Sequence, residues 1–231
     1  MFGGGAFLVL ADGMGGHRGG DVAAEATVNA LGKWFEGFSG SELDGIAEDE
    51  LLDVVADNIQ QTNAAVFEMG CQEPELRGMG TTLCCVLFHE GRVVYSHTGD
   101  SRIYRLRDGV LEQLTRDDSL VSDLLDLGQL EHEDVSEFAY RNVLTKAIGM
   151  EPLLEPHVAV EDLCENDLYL ICSDGLTNMV EDDDIEKILL QRGGSTKARV
   201  EDGAQALVNA AIQGGGRDNV TVVIAAVENA N

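Results

Sequence analysis

Residues 81–115 read TTLCCVLFHEGRVVYSHTGDSRIYRLRDGVLEQLT, and this stretch decides the fold. Its segments TTLCCVLF, RVVYSHT, RIYRLR and VLEQLT are short and rich in β-branched and aromatic residues, the composition of strands. HEG and RDG join them in pairs, and a connector that short with a glycine in it is hairpin chemistry. Consecutive strands are therefore antiparallel. Arg102, Arg105 and Arg107 recur along one of them and are expected to share a solvated face.

Outward from this block the period changes. Upstream, residues 7–12 read as another strand. Asp21 is expected to cap an amphipathic helix carrying Ala23, Thr27, Ala30, Trp34 and Phe38 at helical spacing. A Gly/Ser break near 37–41 precedes a second helix with Leu52, Val55, Ile59 and Val66 on one face. Downstream come a short helix in SLVSDLLDLG, strands in HVAVEDL and DLYLICS, helices in DDDIEKILLQ and VEDGAQALVNAAI, and a last strand, VTVVIAAV. Blocks of strands alternating with pairs of helices give the α+β class, a mostly antiparallel sheet covered by helices, in one domain over 1–231.

The chain has 42 acidic and 15 basic residues, a net charge of −27. That balance excludes nucleic acid and anionic membrane as main partners, since both need a basic footprint. No apolar run approaches the roughly 20 residues of a membrane span, and MFGGGAFLVL lacks the basic start of a leader. Five cysteines without paired spacing fit reduced thiols and a cytoplasmic setting. An anionic substrate would need positive charge supplied within the site itself.

Four acidic residues mark where that charge would come from. LVLADG closes on Asp12–Gly13, VVYSHTGDS on Asp100 and LYLICSDG on Asp174–Gly175, while GGGRDNVTVVIAAV opens at Asp218. A carboxylate at the mouth of a buried strand is costly unless something positive meets it. Asp12, Asp174 and Asp218 read best as shared oxygen ligands for hard divalent metals, with the Gly13 carbonyl available beside them. Antiparallel topology lets the ends of strands at Asp12 and Asp174 meet the start of a strand at Asp218.

Other motifs fare worse. DGMGGHRGG has Arg18 where a dinucleotide fingerprint needs glycine, and no P-loop lysine follows. Cys71 and Arg77 have the C-x5-R spacing of thiolate phosphatases, but Glu73 and Glu75 between them would repel phosphate and Pro74 removes a donor. His17, His89, His97, His132 and His157 form no HxxxH or HExxH pattern, which argues against a zinc site. Cys84, Cys85, Cys164 and Cys172 lie in apolar runs and read as core.

ADGMGGHRGGDVAAE, GMGTTL, HTGDSRIYRLRDG, LTRDDSL, RNVLTKAIG, CSDGLTNMV and GGRDNVTVV follow one another from about Leu8 to Val227. In that order they resemble the metal-dependent serine/threonine protein phosphatases of type 2C, in their compact bacterial form. The resemblance implies a sandwich of two antiparallel β-sheets flanked by helices on both sides, with a binuclear Mn²⁺/Mg²⁺ centre at one end. It implies Asp12 as the bridging carboxylate, Gly13 as a carbonyl ligand, Asp174 and Asp218 completing one metal, and Asp100 at a third, weaker one. Residues 115–130 would form a flap beside the site. Phosphoserine and phosphothreonine in proteins would be hydrolysed by a metal-bridging water without a phosphoenzyme, opposing a serine/threonine kinase. The chain departs from the pattern in two respects. The arginine and Asn-Glu-Asp segment usual before the first strand have no counterpart in MFGGGAF, and Asn178 stands where an aspartate often supports the third metal. Met14 is common at its position in bacterial members. A pseudophosphatase that keeps the scaffold as a non-catalytic phosphoprotein-binding module is the alternative.

Overall fold

The computed structural model describes residues 6–14, 17–37, 45–191 and 196–228. Residues 1–5, Phe38 and the rest of the Gly/Ser break, and Gly15–Gly16 lie outside them. The hairpin block forms as read. Strand β4 (Leu83–His89) turns into β5 (Arg92–Thr98) through Glu90 and Gly91, both at positive φ (45° and 72°). Strand β6 (Arg102–Arg107) turns into β7 (Val110–Gln113) through Asp108 and Gly109, at 52° and 85°. Two left-handed residues in a two-residue loop match the right-handed strand twist, which is why glycine follows an acidic residue in both.

Strand β1 (Ala6–Leu10) pairs with β4 in the register Leu10↔Cys84, and β8 (His157–Asp162) pairs with β5. One sheet thus has the order β1-β4-β5-β8. The other has the order β10-β9-β6-β7, with β9 at Leu168–Cys172 and β10 at Val222–Ala226. All neighbours are antiparallel. A two-stranded clip joins β2 (Gly13–Met14) to β3 (Gly80–Thr81).

The two larger sheets face each other across Leu10, Cys84, Val86 and Val93 on one side and Ile103, Tyr169 and Ile171 on the other. Helices α1 (His17–Gly37) and α2 (Glu48–Gln72) cover the outer face of the first sheet, packing Leu31, Leu51, Val55 and Ile59 against Leu83, Cys85, Leu87 and Val94. Helices α5 (Asp182–Leu190) and α6 (Thr196–Gln213) cover the second, setting Ile185, Leu189 and Leu207 against Tyr104, Leu170 and Cys172. The result is a β-sandwich with helices on both sides. Because β4 and β9 are buried on both faces, their sequences run continuously apolar instead of alternating. Truncating a fully buried Leu87 to Ala would cost about 2–5 kcal/mol.

Two local expectations are corrected. Asp21 lies inside α1, which begins at His17, because the chain enters that helix almost directly from β2. Arg102 does not share a face with Arg105 and Arg107. Positions 102 and 105 differ by an odd number, and period two therefore sends them to opposite sides. Tyr104 and Leu106 point with Arg102 toward the helices, while Ile103 lies in the inter-sheet core. Nor are the arginines a solvated edge. Arg105 pairs with Glu161 and Glu112, and Arg107 grips Asp167, whose side chain is 1% exposed. The short helix α3 (Leu120–Asp126) is capped by the Ser119 hydroxyl, which accepts from the Ser122 N–H at 3.2 Å.

Candidate metal centre

The Asp12 peptide is pinned by threonines. Its N–H donates to Thr82 Oγ1 at 3.0 Å, and its carbonyl accepts from the Thr82 N–H at 2.8 Å and from Thr81 Oγ1 at 2.9 Å. The Thr82 hydroxyl in turn sits 2.8 Å from Ser101 Oγ. These bonds use only backbone atoms of Asp12, so its carboxyl is left for another task. Gly13, exposed in β2, is held so close to α1 that a Cβ would lie 2.3 Å from the Gly20 carbonyl.

Asp174 follows β9 and opens a one-turn helix, α4 (Asp174–Thr177). Its Oδ2 accepts from Asn178 Nδ2 at 3.0 Å. The loop before β10 is laced to this point. Ser173 N–H donates to the Thr221 carbonyl, Thr221 N–H donates back to Ser173 Oγ, each at 3.1 Å, and a Cβ on Gly175 would meet the Asn219 carbonyl at 2.0 Å. That lacing carries Asp218 alongside Asp174. Asp100 sits where the chain crosses from β5 in one sheet to β6 in the other. It is placed there by Gly99 at φ +100°, whose missing side chain makes room for Thr82.

Antiparallel pairing accounts for Asp174 and Asp218, at the end of β9 and before the start of β10. Asp12 and Asp100 join them only because the sheets stack. Burial, then Asp174 and Asp218, push the Asp12 carboxyl up to about 6, and the Asp12 and Asp174 side chains are within hydrogen-bonding reach. Burial, then Asp174 and Asp117, push Asp100 up to about 7, with Asp12 adding to the effect. Asp174 is raised by burial and Asp218, while bonds from Asn178 and the Gly175 N–H act against the rise. Asp12, Asp100 and Asp174 are thus each raised by burial and by acidic neighbours. Asp218 is exposed at the rim and shares no common 4.8 Å group with the other two, unlike His97, Asp118 and His157.

Asp117 is a site neighbour that the sequence reading missed, although it lay in LTRDDSL within the expected flap. Arg102 holds it with two bonds of 2.8 Å and donates to Tyr104 Oη at 3.1 Å. Only stacking of the second sheet against this loop reveals the arrangement. An all-oxygen donor set whose members are costly to ionise together fits hard divalent cations. The thiol route finds no support. Cys71 and Arg77 are both exposed, separated by a 3₁₀ turn at Pro74–Leu76. Cys84, Cys85 and Cys172 are buried, and burial pushes the thiols of the last two to about 12.

A sequence model described as Protein phosphatase 2C matches residues 2–209. A serine/threonine phosphatase of Listeria monocytogenes is 36% identical over 217 residues, covering 94% of this chain and 82% of that protein. The crystal structure of the Mycobacterium tuberculosis serine/threonine phosphatase PstP superposes with a TM-score of 0.81 at 37% identity, over 96% of this chain and 88% of that one. A second structure, of the PstP catalytic domain in complex with two manganese ions, superposes with the same TM-score at 36% identity, with the same coverage. No helix among the described residues is long and apolar enough to cross a membrane.

Proposed function

We propose, from the premise that this chain belongs to the protein phosphatase 2C family and is a serine/threonine phosphatase, that Asp12, Asp174 and Asp218 hold the divalent cations that do its chemistry, with the Gly13 carbonyl beside them and Asp100 at a weaker third position. The observation that carries this is the apposed pair Asp12 and Asp174, two carboxyls that burial and acidic neighbours make costly to ionise. Mn²⁺ or Mg²⁺, when bound, supplies an activated water and neutralises charge on the phosphoryl oxygens.

The chain's own residues set the stage for this. Thr81 and Thr82 fix the Asp12 backbone, leaving its carboxyl no structural role. Asn178 orients Asp174 by a bond to Oδ2, in place of the aspartate common there in the family. Arg102 keeps Asp117 paired and out of competition for the cations. The buried thiols are not nucleophiles at neutral pH, which supports direct hydrolysis without a phosphoenzyme. The substrates are phosphoproteins, and a serine/threonine kinase would supply them. All five cysteines are unpaired, which supports the cytoplasm as the setting.

The test is hydrolysis of a phosphothreonine peptide by the purified chain with Mn²⁺, with chelator, and as Asp174→Asn. Turnover that needs Mn²⁺ and falls at least about 100-fold in the variant is expected. Turnover untouched by chelation refutes the reading, and Mn²⁺ binding without turnover makes the chain a non-catalytic binding module.

A further inference from the structure

Strand pairing places two histidines, 60 positions apart in sequence, directly opposite each other. His97 on β5 and His157 on β8 are Cα partners, and their rings lie 5.0 Å apart at 17°. Asp118 joins them from the loop before α3. One ligand atom from each of His97, Asp118 and His157 falls within 4.8 Å of the others. We propose that these three side chains form a second metal site, selective for a borderline transition ion such as Zn²⁺ or Co²⁺ and separate from the carboxylate centre.

The donor chemistry differs from that of the centre. Two imidazoles and one carboxylate suit zinc-like ions, whereas Mn²⁺ and Mg²⁺ prefer oxygen. The hydrogen bonds also leave lone pairs free. His97 Nε2 lies 2.6 Å from the Arg116 carbonyl. A carbonyl only accepts, so Nε2 carries the proton and Nδ1 is the free acceptor. A ring N–H anchored on a backbone carbonyl is the usual support of a ligating histidine, and burial favours the neutral ring. Asp118 uses Oδ2 to accept from the Gly99 N–H at 3.1 Å, and Oδ1 faces His157 Nε2 at 3.4 Å.

A cation already stands at this focus. Lys146 Nζ is 3.2 Å from His157 Nε2 and 3.9 Å from Asp118 Oδ1. An ammonium can only donate, so the His157 nitrogen presents its lone pair there. Lys146 thus occupies the position a metal would take, and its exposed side chain is free to leave. His157 is also exposed, and its ring must rotate out of the stack to share an ion with His97. The local pattern HxxxH is absent because the ligands come from two strands and a loop. The site therefore had no signature in sequence spacing.

The two centres meet through one peptide, since Gly99, which binds Asp118, precedes Asp100. They are separable by mutation. The experiment titrates the full chain carrying Asp12→Asn with Co²⁺, followed by visible absorption, and with Zn²⁺ by competition against a chromophoric chelator. One Co²⁺ or Zn²⁺ is expected to remain bound. Adding His157→Ala should weaken it by at least about tenfold, with circular dichroism unchanged, and adding Lys146→Met should tighten it. No ion bound in the Asp12→Asn chain, or affinity unchanged by His157→Ala, overturns the proposal. Neither result bears on the Mn²⁺-dependent phosphatase assay.

Discussion

Replacing Asp12 by Asn should stabilise the chain when metal is absent and destabilise it, relative to the parent, when Mn²⁺ is present. The Asp12 carboxyl rises from 3.8 to about 6 through burial and its acidic neighbours. About two pKa units at 1.36 kcal/mol each give roughly 3 kcal/mol. Solvent screens a partly exposed group, and Asp174 shares in the shift, so about 1–2 kcal/mol is the expected gain at neutral pH. For a domain this size that raises Tm by roughly 2–8 °C. The pH dependence has a definite sign. Between pH 3.8 and 6 the folded parent binds more protons than the unfolded chain, so its stability falls as pH rises through that window. The advantage of Asp12→Asn should therefore be small near pH 4 and complete above pH 7. Mn²⁺ at a hundred times its Kd stabilises the parent by about 2.7 kcal/mol through linkage, a gain the variant should largely lose. The assay is thermal melting of both proteins with chelator and with Mn²⁺, at pH 4.5 and 7.5. A chelated variant that melts below the parent at pH 7.5 would show that Asp12 is a structural carboxylate and refute the reasoning.

Gly175→Ala should cut activity and Mn²⁺ affinity at least about tenfold, a loss of about 1.4 kcal/mol, since its Cβ would displace the Asn219 carbonyl and with it Asp218; unchanged Mn²⁺ affinity would show that the 218–220 loop is not a ligand carrier. Cys71→Ser, at an exposed position on α2, should leave phosphatase turnover as it is, and loss of turnover would revive the thiolate route. Arg107→Met should cost about 3 kcal/mol, read by urea unfolding, because it strips the buried Asp167 of its cation; its turnover when folded should match the parent.

The hairpin connectors HEG and RDG, the continuous apolar strands, and the acidic turns at Asp12, Asp100, Asp174 and Asp218 were legible from residue type and spacing alone. They suffice for the α+β class and for singling out these carboxylates as candidates, because turn chemistry and hydrophobic period are local properties of the chain. The start of α1 was misplaced, since a helix can begin before its best capping residue when a tight clip feeds the chain into it. The roles of Arg102 and Asp117 were not legible, because their pairing depends on a loop folding back over a sheet edge. The same holds for His97 and His157. Their spacing of 60 residues carries no signal until strand register sets them opposite each other. The sequence determined which groups are available, through chemistry that each residue carries alone. Only the stacking of two sheets decided which of them share one low-dielectric space, where burial and acidic neighbours raise the carboxyls of Asp12, Asp100 and Asp174.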